Sequence, residues 1–303
     1  MDKLQTAKGS TANRMQYFYL ITSVFCVASS NIIGSFFNRK NAKRTGVSPI
    51  YNLYLMLSVS ACWLVMFIAD RTYDLSVLPY AFLFSLFYTI CNIGIINALK
   101  LGSVMLTSLF SQLSMILVSI WGFFFWDAQF TWTVGIGLVL TAIALWLCLY
   151  KGSSKETVKI NFKWIRYIFM LVIGNAGCSI VQRTQQLNFS GKYGNFLMLV
   201  ATGISTLVCL VLYLRSDRRD SAVITRSSWY LPVLAGALNA LLNLFVILMA
   251  ASDLSPSLIY PVLAIGSLII ITILSLLVFK EKMCWWQWLG VLLGIAATGI
   301  LSI

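Results

Sequence analysis

The sequence is poor in charge, above all in acidic residues, and it has no histidine. Charged residues make up 10% of the 303 residues, and Asp and Glu together number only 9. Because soluble globular domains carry about 25% charged residues, this composition excludes an ordinary water-soluble domain. The lack of histidine removes the commonest metal ligand and the commonest general base. We therefore predict no metal site, no cofactor and no enzymatic activity.

Apolar residues take the place of charge, and they lie in long runs. They make up 59% of the chain, and the mean hydropathy is +0.86. Each run is about 20 residues long, the length that a helix needs to cross about 30 Å of hydrocarbon. After a tail at residues 1–16, the ten predicted spans are Tyr17–Asn38, Pro49–Ala69, Leu75–Ala98, Leu101–Trp126, Thr131–Tyr150, Trp164–Gln185, Gly194–Leu214, Tyr230–Ala251, Ser255–Phe279 and Trp285–Ile303. We expect an all-α integral membrane protein with ten transmembrane helices, a multi-pass protein of the cell membrane embedded in the lipid bilayer.

The net charge of +13 is carried mainly by the connections between spans. The 22 basic residues do not form one polar face, so nucleic acid is not an expected partner. Sixteen of them fall on the side opposite the termini, among them Arg39, Lys40, Lys43 and Arg44. Taken alone, the positive-inside rule places both termini outside the cell.

The two halves of the sequence resemble each other. A shift of 153 residues aligns Leu231, Pro232, Ala251, Ser267, Trp285 and Gly290 with Leu78, Pro79, Ala98, Ser114, Trp132 and Gly137. A shift of 144 residues places Asn175, Ser179 and Arg183 on Asn31, Ser35 and Arg39. This predicts two repeats, 17–150 and 164–303, joined by a basic linker at 151–163. Because each repeat has five spans, the second enters the membrane from the opposite face, which gives the inverted repeat typical of alternating-access carriers.

The last two predicted spans are joined by a short acidic turn, and a Gln-x-x-Gly step opens the final span. The residues are Glu281, Gln287 and Gly290. Together with the five-plus-five duplication, this pattern resembles EamA-type transporters of the drug/metabolite transporter (DMT) superfamily. The first half departs from it, with Asp127 and Ala128 at the turn. The resemblance implies cytosolic termini, against the charge distribution, so the orientation stays open.

No acidic residue lies in the interior of a predicted span. All nine map to loops or helix ends, namely Asp2, Asp70, Asp74, Asp127, Glu156, Asp217, Asp220, Asp253 and Glu281. A permanently cationic substrate would lack a counter-ion at depth, which costs several kcal/mol. We therefore expect a neutral or zwitterionic substrate. A proton relay normally needs Asp, Glu or His, so we predict facilitated diffusion or exchange, or a proton taken from a group at the cavity mouth.

Polar residues within the spans are the candidates for a substrate site. A buried amide costs several kcal/mol unless it is paired, so these residues face other helices or a wet cavity. The resemblance implies a cavity lined mainly by spans one, three, four, six, eight and nine. The candidate substrate-binding residues on those spans are Asn31, Asn92, Ser114, Asn175, Asn243 and Tyr260. Hydrogen bonding between helices is the alternative role for each.

Prolines and small residues indicate a moving element and a packing surface. Pro256 and Pro261 are predicted to kink the ninth span and to act in gating, because a proline inside a helix removes a backbone hydrogen bond. Small residues four apart permit close helix packing. Such residues in the fifth and tenth spans, predicted to pack helices or to form a homodimer seam, are Gly137, Thr141, Gly290 and Gly294.

The sequence therefore predicts a transmembrane transporter of a small, amino-acid-like metabolite, acting as an exporter by alternating access. The resemblance also covers exporters of toxic compounds, so a multidrug exporter of the same fold is the first alternative. From another class, a membrane-embedded enzyme or a non-transporting scaffold is the second alternative. The composition disfavours the enzyme, and the duplication gives no support to the scaffold.

Overall fold

The computed structural model describes residues 2–102, 104–111, 113–126, 131–149, 162–250, 256–279 and 284–301. Within these ranges the regular structure is entirely helical, which confirms the predicted all-α class. The helices are α1 (Asp2–Lys40), α2 (Val47–Asp70), α3 (Leu78–Leu101), α4 (Val104–Ser111), α5 (Leu113–Phe125), α6 (Trp132–Leu149), α7 (Phe162–Asn188), α8 (Gly194–Arg215), α9 (Ser221–Ser228), α10 (Tyr230–Ala250), α11 (Pro256–Phe279) and α12 (Trp285–Leu301). A short 3-10 helix at Leu75–Val77 precedes α3.

Six helices in the described ranges are long and apolar enough to cross a membrane, and the chain is a helical membrane protein. They are Met15–Lys40, Val47–Asp70, Leu75–Leu101, Phe162–Asn188, Gly194–Arg215 and Tyr230–Met249. Shorter apolar helices occupy the predicted fifth, ninth and tenth spans at Trp132–Ala144, Gly266–Phe279 and Trp288–Ala297. The predicted fourth span contains α4 and α5.

Two segments that were predicted to lie outside the spans contain helical residues. Helix α1 begins at Asp2, so the predicted tail at 1–16 is a continuation of the first helix from residue 2 onward. Of the predicted linker at 151–163, only residues 162 and 163 are described, and they belong to α7. The acidic turn with Glu281 lies outside the described residues, as do Asp127 and Ala128.

The most extensive packing joins helices from the two predicted halves. Helix α1 packs on α10, α2 on α8, α3 on α7, and α6 on α12. Further contacts join α10 to α2, α8 to α3, α1 to α11, and α7 to α4 and α5. The largest apolar core lies where α2, α3 and α8 meet, with Trp63, Phe84 and Met198 fully buried in it. Each half therefore completes its core with helices of the other.

Glycines allow α3 and α7 to touch along their backbones. A Cβ at Gly94 would lie 2.7 Å from the backbone nitrogen of Leu171, and one at Gly174 would lie 2.6 Å from that of Cys91. Both distances are shorter than any ordinary contact, so only glycine fits at these positions. Small residues are the usual means of close helix packing in membranes.

Polar contacts join elements at both ends of the bundle. We call the end that holds the α1–α2 turn the basic face; there, the backbone N–H of Thr45 donates to the Asp220 carboxylate at 2.8 Å. We call the other end the opposite face; there, Asn188 Nδ2 donates to the Tyr80 hydroxyl at 2.6 Å. These bonds tie the turn after α1 to the segment before α9, and α7 to α3.

The opposite face also carries an exposed carboxylate, Asp74, in the turn before α3. It accepts hydrogen bonds from the hydroxyl of Ser76 at 2.6 Å and from its backbone N–H at 2.9 Å. The hydroxyl and then the backbone bond lower the pKa of Asp74. Asp74 is therefore ionised at neutral pH, which adds negative charge to the face that carries fewer basic residues.

Candidate functional site

Three polar side chains meet between the middle turns of α3 and α10, and we call them the central amide cluster: Tyr88, Asn239 and Asn243. The Tyr88 hydroxyl donates to Asn239 Oδ1 at 2.6 Å. Asn243 Nδ2 donates to the same oxygen at 2.9 Å and to the backbone oxygen of Asn239 at 2.9 Å. Because Asn239 and Asn243 are four residues apart, they share one face of α10. The hydroxyl of Tyr88 thus joins α3 to α10 near the middle of the bundle.

Two atoms of the central amide cluster have no partner among the described residues. They are Asn239 Nδ2 and Asn243 Oδ1, and both side chains are only half-buried. An amide nitrogen is a donor and an amide oxygen is an acceptor. Within an apolar bundle such groups need a partner, so the cluster presents one donor and one acceptor to water or to a ligand.

Two predicted site residues, Asn175 and Ser114, are in direct contact between α7 and α5. Asn175 Nδ2 donates to Ser114 Oγ at 2.8 Å. The Ser114 hydroxyl in turn donates to the backbone oxygen of Ser111 at 2.7 Å. Ser114 is buried and Asn175 is half-buried. The side-chain oxygen of Asn175, Oδ1, has no partner among the described residues, whereas its backbone oxygen accepts from the Ser179 hydroxyl at 3.1 Å.

The other predicted site residues occupy different surroundings. Asn92 is buried, and its Nδ2 donates to the backbone oxygen of Tyr88 at 2.8 Å, one turn earlier on α3. Asn31 is half-buried on α1 and has no polar partner among the described residues. Tyr260 belongs to α11, but its side chain lies outside the described part of the structure. Of the six predicted residues, the structure thus pairs Asn175 with Ser114 and places Asn243 in the central amide cluster.

The predicted gating and packing residues lie on α11 and on the α6–α12 pair. Helix α11 is described from Pro256 onward and is continuous through Pro261, so the kink stays a prediction. Helices α6 and α12 pack against each other, with Gly137 and Gly290 buried. A Cβ at Gly294 would lie 3.9 Å from that of Ala144, and the Thr141 hydroxyl donates to the backbone oxygen of Gly137 at 2.8 Å.

Two members of the central amide cluster, Tyr88 and Asn239, were not among the predicted site residues. A tyrosine in a transmembrane span usually lies near an end, where its hydroxyl reaches the headgroup layer. Tyr88 lies instead in the middle of α3, four residues before Asn92. A phenol in the middle of a span needs a buried hydrogen-bond partner. The central position of Tyr88 in its span was therefore the feature of the sequence that could have identified it.

Basic side chains lie over aromatic rings at the two ends of the bundle. The Arg39 guanidinium is 4.0 Å from the ring centre of Phe279 at the basic face. The Arg183 guanidinium is 6.0 Å from the ring centre of Trp126 at the opposite face. The described acidic side chains lie in turns or at helix ends, and among the described residues no group of three His, Cys, Asp or Glu could hold a metal ion. The central site is therefore polar but carries no acidic charge in the part of the bundle that the structure describes.

Comparison with known proteins shows a shared fold. One solved structure, described only as "Crystal structure of protein", superposes with a TM-score of 0.61 at 12% sequence identity, and the match covers 95% of this chain and 97% of the other. No family model and no curated protein matches the sequence. At such low identity the structural likeness concerns the arrangement of helices and carries no information on activity.

Proposed function

We propose that this chain is a transporter of the EamA type, within the DMT superfamily, that moves a small neutral or zwitterionic metabolite across the membrane. Ten helices form two inverted five-helix repeats, 17–150 and 164–303, and the substrate binds between them. Exchange between two conformations opens this site to one side of the membrane and then to the other. The direction in this proposal is export.

The helix pairings support two structurally related halves. When each span is replaced by its counterpart in the other repeat, the pair α1–α10 becomes α7–α3, and α2–α10 becomes α8–α3. The pair α1–α11 becomes α7 with α4 and α5, while α2–α8 and α6–α12 each map onto themselves. A packing pattern that survives this exchange is expected of an inverted repeat. The fold shared over 95% of the chain with a solved structure indicates that the arrangement occurs in another protein.

The central amide cluster is the observation that carries the proposal. A polar group in the middle of a membrane bundle is retained only where it is paired or lies against a wet cavity. Tyr88, Asn239 and Asn243 pair with one another and still leave one donor and one acceptor over. A structural hydrogen bond between α3 and α10 would need only the first two of these residues. The third residue, and the two amide atoms that have no partner among the described residues, fit a ligand site.

The chemistry of the cluster favours a substrate with both a donor and an acceptor and no net charge. Neutral amides bind such groups without the desolvation cost of an uncompensated ion. A zwitterion such as an amino acid carries acceptor and donor groups on neighbouring atoms, and its charges cancel. We therefore place amino-acid-like metabolites ahead of permanently cationic compounds.

A thermal-shift screen of the purified protein against amino acids and related metabolites tests this proposal. A ligand that binds only the native state, and that is present at a concentration of 100 times its Kd, stabilises that state by about 2.7 kcal/mol. We expect at least one neutral or zwitterionic compound to raise the melting temperature of the parent protein. The same compound should give a smaller shift with Asn239→Leu, Asn243→Leu and Tyr88→Phe, because each removes a polar atom from the cluster.

Asn97→Ala is the matched control for these variants. Asn97 is an asparagine on the same helix as Tyr88, but its amide donates to Ser48 of α2 at 3.0 Å and to the backbone oxygen of Ile93 at 2.8 Å. It should keep the ligand response of the parent. Shifts that are equal in the parent and in Asn239→Leu would place the ligand elsewhere. A response to apolar toxic compounds alone would favour the multidrug exporter.

A further inference from the structure

The helices around the central amide cluster form two groups. We call α1, α10 and α11 the first group, because α1 packs on both of the others. We call α7, α3, α4 and α5 the second group, because α7 packs on each of the others. Under the repeat exchange described above, each group becomes the other. Motion between the two groups is therefore the motion that would expose the central cluster to either face.

At the basic face a side-chain hydrogen bond joins the two groups. Asn38, in the last turn of α1, is 5% exposed. Its Nδ2 donates to the backbone oxygen of Ile96 on α3 at 2.9 Å. Next to it, an apolar cluster that includes Ala28, Leu99 and Val104 also combines residues of both groups. The two groups are thus closed against each other at this end.

The residue equivalent to Asn38 in the second half is Gln182 on α7, by the same shift of 144 residues that relates Arg183 to Arg39. The carbonyl equivalent to that of Ile96 belongs to Met249 on α10, by the shift of 153 residues. Gln182 lies toward the opposite face and is 6% exposed, yet its Nε2 has no hydrogen-bond partner among the described residues. The bond present at the basic face is therefore not made by its counterpart.

Both amides lie on the same helix stripes as predicted site residues. Asn38 is seven residues after Asn31 on α1, and Gln182 is seven residues after Asn175 on α7. Residues seven apart lie on one face of a helix, two turns from each other. Each amide thus lies between the central site and one end of the bundle, where a closing contact is needed.

We propose that Asn38 and Gln182 are alternating latches, which rests on the proposed transport by alternating access. In the state described here Asn38 holds α1 to α3 at the basic face, and Gln182 is unlatched. In the other state Gln182 Nε2 donates to the backbone oxygen of Met249, which joins α7 to α10 at the opposite face, and Asn38 is released. An unpaired buried donor is unfavourable. Each state leaves one of the two amide donors unpaired, and the other state pairs it.

Hydrogen exchange of the full-length protein in lipid nanodiscs, followed by mass spectrometry without substrate, tests the latches. Asn38→Ala removes the bond present here, so we expect faster exchange in residues 93–101 and slower exchange in residues 178–188 and 243–250. Gln182→Ala removes the bond of the other state, so we expect slower exchange in residues 93–101. Each change should be about twofold to tenfold, the range expected for one net hydrogen bond.

Asn41→Ala is the control for general loosening of the basic face. Asn41, directly after α1, is also buried, and its Nδ2 donates to the backbone oxygen of Phe37 at 2.9 Å and to the Ser228 hydroxyl of α9 at 3.5 Å. Neither bond joins the first group to the second. It should leave exchange at the opposite face unchanged. If Asn38→Ala does not yield folded protein, Asn38→Leu keeps the side-chain volume and removes the donor.

Opposite changes at the two faces support the latches. Changes of the same sign at both faces, or no change, would overturn them. Because the measurement uses no substrate, it can succeed or fail independently of the ligand screen. If the exchange test gives the expected result but no metabolite binds, the latch proposal is supported and the proposed function is not.

Discussion

Replacing Gly174 with alanine should destabilise the bundle measurably. A Cβ at this position would lie 2.6 Å from the backbone nitrogen of Cys91, and 2.8 Å from both its Cα and its Cβ. These atoms belong to the backbone or adjoin it, so they cannot move aside by a rotamer change, and α3 must shift away from α7. Overpacking costs about 1–3 kcal/mol, and the upper half of that range applies because the clashing atoms are fixed by the backbone. The better helix propensity of alanine offsets up to about 1 kcal/mol, so we expect a net loss of about 1–2 kcal/mol.

Gly203→Ala gives a control of opposite sign. Gly203 lies within α8, and no atom lies within 4 Å of the place where its Cβ would be. Alanine there should stabilise the protein by about 0.5–1 kcal/mol, because it removes conformational freedom from the unfolded chain without a clash. Unfolding in mixed micelles by titration with sodium dodecyl sulfate, followed by circular dichroism, gives the free energy of unfolding for both variants.

The sign of the difference between the two variants decides the matter. If Gly174→Ala is as stable as the parent, or gains as much as Gly203→Ala, then α3 and α7 are not in backbone contact and the packing argument fails. If both variants lose stability, the loss is a general response to added volume in the membrane. Only a loss at Gly174 with no loss at Gly203 agrees with the structure.

Two further predictions concern transport. In proteoliposomes, an imposed pH gradient should not drive uptake of a compound found in the ligand screen, because no carboxylate or histidine is found inside the described bundle. Uptake accompanied by a matching proton flux would contradict this prediction. Pro261→Ala should slow transport, since alanine restores a backbone donor in α11 and stiffens the helix. The transport rate of Pro256→Ala is measured for comparison. If Pro261→Ala transports at the rate of the parent, α11 is not a gating element.

The long helices could be predicted from the sequence because lipid imposes both their length and their composition. The span predicted at Gly194–Leu214 corresponds to the helix Gly194–Arg215, and Pro49–Ala69 corresponds to Val47–Asp70. Charged and glycine-rich segments bound both of them, so their ends differ by only a few residues. The start of α1 was missed because a polar, charged helix continuing out of the membrane has no apolar signature.

The site was only partly predictable, because its geometry depends on which helices meet. The sequence identified Asn175 and Ser114 as polar residues within spans, but it could not show that they bond to each other. Asn92 is likewise a polar residue within a predicted span, yet its amide donates to the backbone of its own helix. Tyr88 joins Asn239 across a gap between α3 and α10, and a contact between residues 151 positions apart leaves no local trace.

The packing of each early helix on a helix of the second half has a consequence for biosynthesis. The main partners of α1, α2, α3 and α6 are α10, α8, α7 and α12, all of which emerge later from the ribosome. At about 5–20 residues per second, roughly seven to thirty seconds separate the two halves. During that interval Gly94 has not yet met α7, and Tyr88 has not yet met Asn239. The predicted first repeat is therefore not expected to be an independent folding unit, and a chain truncated after α6 should be a substrate for membrane quality control.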